Sequence, residues 1–335
     1  MTPAEYAADA LDGVPTIADI WAARPIVAEV ALRTPLVRVQ GDYSRSSLAC
    51  PAAPPEIYLK LENLQPTGSF KLRGAHTALR GLTAEALAHG VLAASTGNMA
   101  QAVAYGARRL AVPCVVIMPE DASRAKQARV EQLGGQVLRV ARARWWQTFQ
   151  ERSYPGYEQA AFIHAFDDPR VQAGAGTLGV EILEDLPDVD AVVLPFGGGG
   201  LATGVATALR ALKPDTRVYA VEVATAAPLA ASFAAGDLRA VEFTPTFVDG
   251  IGSSSVFPRM WARAWQLLDG ALVASVAEAE AALRVLAERQ RIVAEGAGAC
   301  AVAVAVAGRA GGGKVVCVIS GGNLGLDTFA RILTD

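Results

Sequence analysis

Apolar and polar positions fall into two alternating periods along this chain. Val91 to Ala94 is a short apolar run broken at Gly97, Asn98 to Leu110 carries Ala, Val and Tyr at helical spacing, and Val115 to Met118 is a second apolar run stopped by Pro119. The pattern predicts strand, glycine turn, helix, strand. It returns further along, with a strand at Ala191 to Leu194, a turn at Gly197 to Gly200, a helix from Leu201 to Leu212 ended by Lys213-Pro214, and a strand at Val218 to Val221. Strand–helix alternation predicts a parallel sheet with helices on both faces, and two such units predict two α/β lobes. A further strand, Lys314 to Ile319, runs into Ser320-Gly-Gly-Asn323. The segment ACAVAVAVAG, Ala299 to Gly308, alternates like a strand, but it is rich in Ala and follows a helical stretch, Val276 to Arg291, so it reads as a buried helix. Pro51 to Pro55 marks a loop.

Composition narrows the class. A chain of 335 residues makes one large or two medium domains, and 52% hydrophobic with 19% charged residues predicts a globular body. A formal net charge of −3 supplies no basic excess for nucleic acid or an anionic membrane. Cys50, Cys114, Cys300 and Cys317 are scattered, with no CxxC pair and no neighbouring His76, His89 or His164, so they read as buried or idle thiols of a reducing cytosol rather than as a zinc site. The acidic first residues lack the basic start of a secretory signal. The longest apolar run, around Gly296 to Gly308, is shorter than the roughly 20 residues of a spanning helix. The expectation is a soluble, cytoplasmic protein.

Four segments carry candidate chemistry. Gly197 to Gly200, between a strand and a helix, lets bare backbone N–H groups converge on an anion at a helix start, which suits a phosphate; the alternative is a plain flexible turn. The dinucleotide spacing GxGxxG is absent from GGGGLATG. Gly308 to Lys314 imitates a Walker A loop, but Val315 stands where Ser or Thr must bind Mg²⁺, and the segment reads as a surface turn. In GSFKLRG, Phe70 precedes Lys71 and small residues flank the pair; desolvation there would lower the lysine pKa toward that of an imine-forming amine, and the alternative is an ordinary solvated surface lysine. Ser95 to Met99, at a strand-to-helix turn, suits either a carboxylate or an ordinary helix N-cap. Ser320 to Asn323 is a turn after the late strand.

Together these segments resemble one family. RTPLVRV, YLKLENLQPTGSFKLRGA, AASTGNMAQAVA, HAFDDPRVQAGAGTLGVEIL, DAVVLPFGGGGLATGVA, VDGIG, VAEGAGA and CVISGGN stand in the order of the fold-type II pyridoxal-phosphate (PLP) enzymes of the threonine/serine dehydratase and serine racemase group. The resemblance implies an α/β, two-lobed fold like that of tryptophan synthase β, with parallel-rich twisted sheets, helices on both faces, and PLP in the cleft. It implies a large lobe from residues 1–77 and 162–335, a small mobile lobe from 78–161, and a homodimer. It assigns Lys71 the Schiff base and the Cα proton, Phe70 the packing on the cofactor ring, Asn98 the ring hydroxyl, and Gly197, Gly198, Gly199, Gly200 and Leu201 the phosphate. Ser320 would meet the pyridine nitrogen, and Ser95, Thr96 and Gly97 the substrate carboxylate. The implied reaction is dehydration and deamination of a small hydroxy-amino acid such as L-threonine or L-serine to a 2-oxo acid and ammonia. A neutral hydroxyl at Ser320 fits it: the pyridine nitrogen stays unprotonated, charge stays near Cα, and β-elimination is favoured over transamination. The rivals are an amino-acid racemase, a dehydratase for a bulkier β-hydroxy-amino acid, a family member that only binds a ligand, and a nucleotide-binding oxidoreductase.

The chain departs from the family's pattern at several points. Met99 stands where many relatives have His, and Thr96 replaces the second Ser of the racemases, the acid–base group on the ring face opposite the lysine; Thr keeps a hydroxyl, so racemisation is weakened rather than excluded. Glu222 and Ala226 match two ligands of a divalent-cation site, but Pro228 falls where an Asp would complete it, so no metal site is expected. The stretch from Ala141 to Gln159 is unusually aromatic; interleaved Arg and Trp can stack on nucleic acid, but with a net negative charge the stretch suggests lobe packing or a substrate-shaping role. The chain ends soon after SGGN, which argues against end-product inhibition through a C-terminal regulatory domain.

Overall fold

Ten strands form two sheets in the computed structural model, which describes residues 11–40, 48 and 54–334. Cys50, the first ten residues and the loop residues Pro51 to Ala53 lie outside the described residues. In chain order the strands are β1 (Leu36–Arg38), β2 (Glu56–Lys60), β3 (Val91–Ala94), β4 (Cys114–Pro119), β5 (Gln136–Val140), β6 (Ala161–Phe162), β7 (Ala191–Pro195), β8 (Arg217–Val223), β9 (Gly270–Ala274) and β10 (Lys314–Val318). The larger sheet has the order β1-β2-β10-β7-β8-β9 and is parallel except for the β1–β2 pair. The smaller sheet, β5-β4-β3-β6, is wholly parallel. The mixed α/β architecture is the one expected. β3, β4 and β7 are buried at every residue, which is why they read as continuous apolar runs: a parallel strand covered on both faces has no solvent side to alternate with. The smaller sheet runs to Phe162, so the expected boundary between residues 161 and 162 falls inside β6.

The helices match the apolar periodicity closely, at Asn98–Arg109 and Gly200–Leu212. Gly296–Val306 is a helix, as expected, and all of its residues are buried. It lies against β7 to β10, so no face has to be polar and the Ala–Val alternation costs nothing. The preceding helix, Val276–Val285, starts at a capping box formed by Ser275 and Glu278 and widens into a π turn over Leu286–Gln290.

A long helix, Pro169–Asp185, packs against the helices at Ile17–Ala28, Lys71–Arg80 and Gly200–Leu212. Close approach depends on Gly204, where an added Cβ would lie 2.1 Å from the Gln172 carbonyl oxygen. Beneath this helix sits a buried ion network. The Arg73 guanidinium spans Glu62 (2.8 and 2.9 Å) and Glu181 (2.6 and 3.0 Å), and Lys60 Nζ donates to the Thr34 carbonyl at 2.7 Å and pairs with Glu181 at 2.8 Å. Arg73, Glu62 and Lys60 are each fully buried. Cys114, Cys300 and Cys317 are buried free thiols, and burial pushes the first two up to about 12. Among the described residues no helix is long and apolar enough to cross a membrane.

Candidate active site

The carboxyl ends of β3, β7 and β10 open into the three turns at Ser95–Gly97, Phe196–Gly199 and Ser320–Gly322, the end of a parallel sheet where ligands are held. Between them lies a cavity of about 240 Å³. Its lining includes Phe70, Lys71, Ser95, Thr96, Gly97, Asn98, Gly197, Gly198, Gly199, Gly200, Leu201 and Ser320, so every site residue named from the sequence comes to one place.

Lys71 opens the helix Lys71–Arg80, directly after Phe70. Its Nζ donates to the Ala165 carbonyl at 2.8 Å and lies 5.1 Å from the centre of the Phe70 ring. Burial pulls the free amine down to about 8, against the charge of Glu295, which pulls it back up. A substantial neutral fraction is therefore present near physiological pH, as an imine-forming or proton-accepting amine requires.

Across the cavity, Gly199 caps the helix Gly200–Leu212 with φ +89°, a left-handed conformation that disfavours a side chain. A Cβ on Gly198 would fall 1.9 Å from the Phe166 ring, so that position too has room only for backbone. The first N–H groups of the helix have no intrahelical acceptor and carry positive partial charge toward the cavity. This is a cradle suited to a phosphate.

Ser95 and Thr96 follow β3, and the helix they lead into is capped by Gly97 with no side-chain bond. The N-cap alternative for these hydroxyls is therefore not realised; Ser95 Oγ accepts from Gly97 N at 3.3 Å within the turn itself. Met99 is buried and lines the cavity, consistent with an apolar wall where a histidine would donate.

Two residues to which the sequence reading assigned no role complete the site. Asn98 Nδ2 donates to both oxygens of Glu295, at 3.0 and 3.1 Å, while its Oδ1 accepts from Asn323 Nδ2 at 2.8 Å. Asn323 also donates to the Thr67 carbonyl at 2.9 Å. Glu295 is buried, and burial raises its carboxyl to about 7, with the Asn98 hydrogen bond opposing. A lone acid inside VAEGAGA was the available signal, but its partner stands 197 positions away in the chain. At the rim Lys126 pairs with Asp249 at 2.6 Å.

Glu222 lies elsewhere. Its oxygens accept from the backbone N–H groups of Leu229 (3.1 Å) and Ala230 (2.8 Å), at the start of the helix Pro228–Ala235, and burial raises it to about 7 against those bonds. The aromatic stretch forms the helix Arg142–Glu151, and its Trp145, Trp146 and Phe149 face a second cavity beside the first.

Comparison with known proteins extends this geometry. Residues 27–321 match the model of a family described as "Pyridoxal-phosphate dependent enzyme". The chain is 38% identical over 322 residues to the L-threonine ammonia-lyase of Thermotoga maritima, an alignment covering 95% of this chain and 78% of the relative. It is 37% identical over 282 residues to the catabolic L-threonine dehydratase TdcB of Escherichia coli K12, covering 83% and 85%. Among solved structures it is similar to threonine deaminase isoform 2 from Solanum lycopersicum (TM-score 0.83, 30% identity, 95% and 91% covered). It is also similar to maize serine racemase (TM-score 0.85, 26% identity, 96% and 97% covered).

Proposed function

Since the chain belongs to the family of pyridoxal-phosphate dependent enzymes, we propose that it removes water and ammonia from a small hydroxy-amino acid such as L-threonine or L-serine, leaving a 2-oxo acid. The observation that carries the reading is the convergence of the Lys71 amine, the tetraglycine turn and Ser320 on one cavity. The similarity to threonine ammonia-lyases over most of the chain supports the substrate class.

The cradle and the amine fit the cofactor: Gly197 to Leu201 would grip its phosphate, Lys71 its aldehyde carbon, Phe70 would pack on its ring, Asn98 would meet the ring hydroxyl and Ser320 the pyridine nitrogen. When bound, the cofactor supplies an electron sink for the pair left at Cα as its proton departs. Ser95, Thr96 and the Gly97 backbone would hold the substrate carboxylate at the start of the helix Asn98–Arg109, where positive partial charge favours an anion. Lys71, once released by the substrate amine, would take the Cα proton, and its lowered basicity suits a proton that must later be given back. The Ser320 hydroxyl, carrying no charge, would leave the pyridine nitrogen unprotonated and favour loss of the β-hydroxyl.

The lobe carrying residues 78–161 would close over the substrate and exclude water, protecting the reactive enamine before it hydrolyses. The Asn98 contacts with Glu295 and Asn323 support this, since they tie that segment to the other sheet's loops across the cavity. A cytoplasmic setting is supported by three buried, unpaired thiols; assembly as a homodimer belongs to the same reading. Racemisation is a second reading: the Thr96 hydroxyl lines the cavity, and Thr in place of the racemase Ser weakens that activity without removing the hydroxyl it needs.

Replacing Lys71 with Ala tests the proposal. Visible absorbance of the holoenzyme and turnover of threonine should both be lost, and borohydride should label Lys71 in the wild type. Full turnover by the variant would refute it.

A further inference from the structure

A second cavity, of about 260 Å³, adjoins the first. The two share Gly197, Gly198 and the segment Asp249–Ile251 in their walls. Two of the shared residues are the cradle glycines, which add no side chain of their own there, and the Phe166 ring packs directly on Gly198. The rest of the chamber has an aromatic side, Trp145, Trp146, Phe149, Phe166 and Phe257, facing the more polar segment from Gly252 to Ser255.

The rings brace one another. Trp146 stacks on Phe149 with centres 5.6 Å apart and planes at 13°, and Phe166 meets Phe257 edge-on at 5.3 Å. Phe149 joins these pairs, 5.7 Å from Phe166. These are favourable stacked and edge spacings, so the wall is set before any ligand arrives. The acidic side chain in the lining is Asp249, already paired with Lys126. No Lys, Arg or His lines the chamber among the described residues, and the nearby Lys126 ammonium is already taken by Asp249 at 2.6 Å, so an acidic substituent would find no unpaired cation in the lining. An aromatic ring would meet aromatic rings. The size also suits one, since an apolar cavity of about 150 Å³ already admits benzene. The methyl group of threonine leaves most of such a chamber unfilled.

The geometry points to a β-hydroxy-α-amino acid with an aryl group on Cβ, of the 3-phenylserine class, as a substrate of this enzyme, with its ring in the chamber formed by Trp145, Trp146, Phe149 and Phe257. The inference rests on the β-elimination reading and names a substrate class for it. The chemistry is unchanged and redox-neutral. The Cα–H and Cβ–O bonds break, a Cα–Cβ double bond forms, and the hydroxyl leaves with a proton as water. The released enamine then moves a proton from nitrogen to Cβ, takes up one water at Cα and expels ammonium. The products are an aryl 2-oxo acid and ammonium.

The test uses the holoenzyme and compares kcat/KM for 3-phenylserine and L-threonine in the wild type, Trp146→Ala and Trp146→Phe. Trp146 is 43% exposed, so neither change empties the core. The wild type should release phenylpyruvate with kcat/KM at least equal to that for threonine. Trp146→Ala should lower the phenylserine-to-threonine ratio at least tenfold, and Trp146→Phe should recover most of it. Calorimetric titration with L-phenylalanine and L-alanine, which carry no leaving hydroxyl, reads the same chamber without turnover. Phenylalanine should bind the wild type at least tenfold tighter than alanine, and that preference should vanish in Trp146→Ala. Turnover of threonine without phenylserine, or a ratio unmoved by Trp146→Ala, overturns the inference and leaves the dehydratase reading standing. Turnover of none of threonine, serine and phenylserine overturns both.

Discussion

Replacing Arg73 with Met removes the centre of the buried ion network while keeping an apolar stem of similar length. Arg73 holds Glu62 through two bonds, at 2.8 and 2.9 Å, and Glu181 through two more, at 2.6 and 3.0 Å. After the change Glu181 still has Lys60 at 2.8 Å. Glu62 keeps only neutral partners, the Thr34 hydroxyl at 2.6 Å and the Gln65 amide at 3.1 Å. A buried carboxylate that loses its cation costs about 3–5 kcal/mol. The pH dependence should also change sign. In the wild type burial would raise the Glu62 carboxyl, but Arg73, Thr34 and Gln65 together hold it below its ordinary value. Its contribution is therefore present above the unfolded carboxylate pKa and fades as pH falls. In the variant burial dominates, the folded-state pKa rises above the unfolded value, and stability is lost as pH increases. Urea unfolding followed by far-UV circular dichroism at pH 5.5 and pH 8 should show a larger loss at pH 8. Adding Glu62→Gln to Arg73→Met should return a good part of that loss, because the orphaned charge is gone. A loss below about 1 kcal/mol at pH 8, equal losses at both pH values, or a double variant less stable than the single would refute the reasoning.

Two further outcomes follow from the same structure. Gly199→Ala puts a side chain at φ +89° with its Cβ 2.9 Å from the Phe196 ring; the left-handed backbone alone costs about 1–2 kcal/mol, and PLP affinity measured by fluorescence titration should fall at least tenfold. Glu222 is raised to about 7 by burial, so the folded protein holds a proton that the unfolded chain releases from about pH 4.5 upward. Glu222 should therefore contribute a decline in stability between those values of up to about 1.4 kcal/mol per pH unit, and Glu222→Gln should flatten the thermal unfolding midpoints from pH 5 to pH 8 by that share, leaving the share of Glu295, which burial also raises to about 7.

The local pattern was legible because its causes are local. Glycines between an apolar run and a helical period mark the turns at Gly97 and Gly197–Gly200 wherever the strands later lie. The buried helix Gly296–Val306 was readable from its Ala content and its predecessor, although its alternation suits either structure. Site residues carried by contiguous motifs, such as Phe70 with Lys71 and the tetraglycine turn, were likewise visible. Glu295 and Asn323 were visible only as letters within motifs, since their roles come from contacts with Asn98 across long stretches of chain. β6, two residues long, has too few positions to show a period and exists by pairing with β3.

From its residue order alone, then, this chain showed five of its ten strands (β3, β4, β7, β8 and β10), the helices at Asn98–Arg109, Gly200–Leu212, Val276–Val285 and Gly296–Val306, and the segments with candidate chemistry, because backbone preference and side-chain type act over a few neighbouring residues. Tertiary structure decided the order β1-β2-β10-β7-β8-β9, the matching of Arg73 with Glu62 and Glu181, and the seating of the Trp145–Phe149 rings beside the cradle. Burial, unlike propensity, is a property of the assembled fold. It turns Lys71 from an ordinary cation into an amine near 8, and it is what gathers those rings around one chamber.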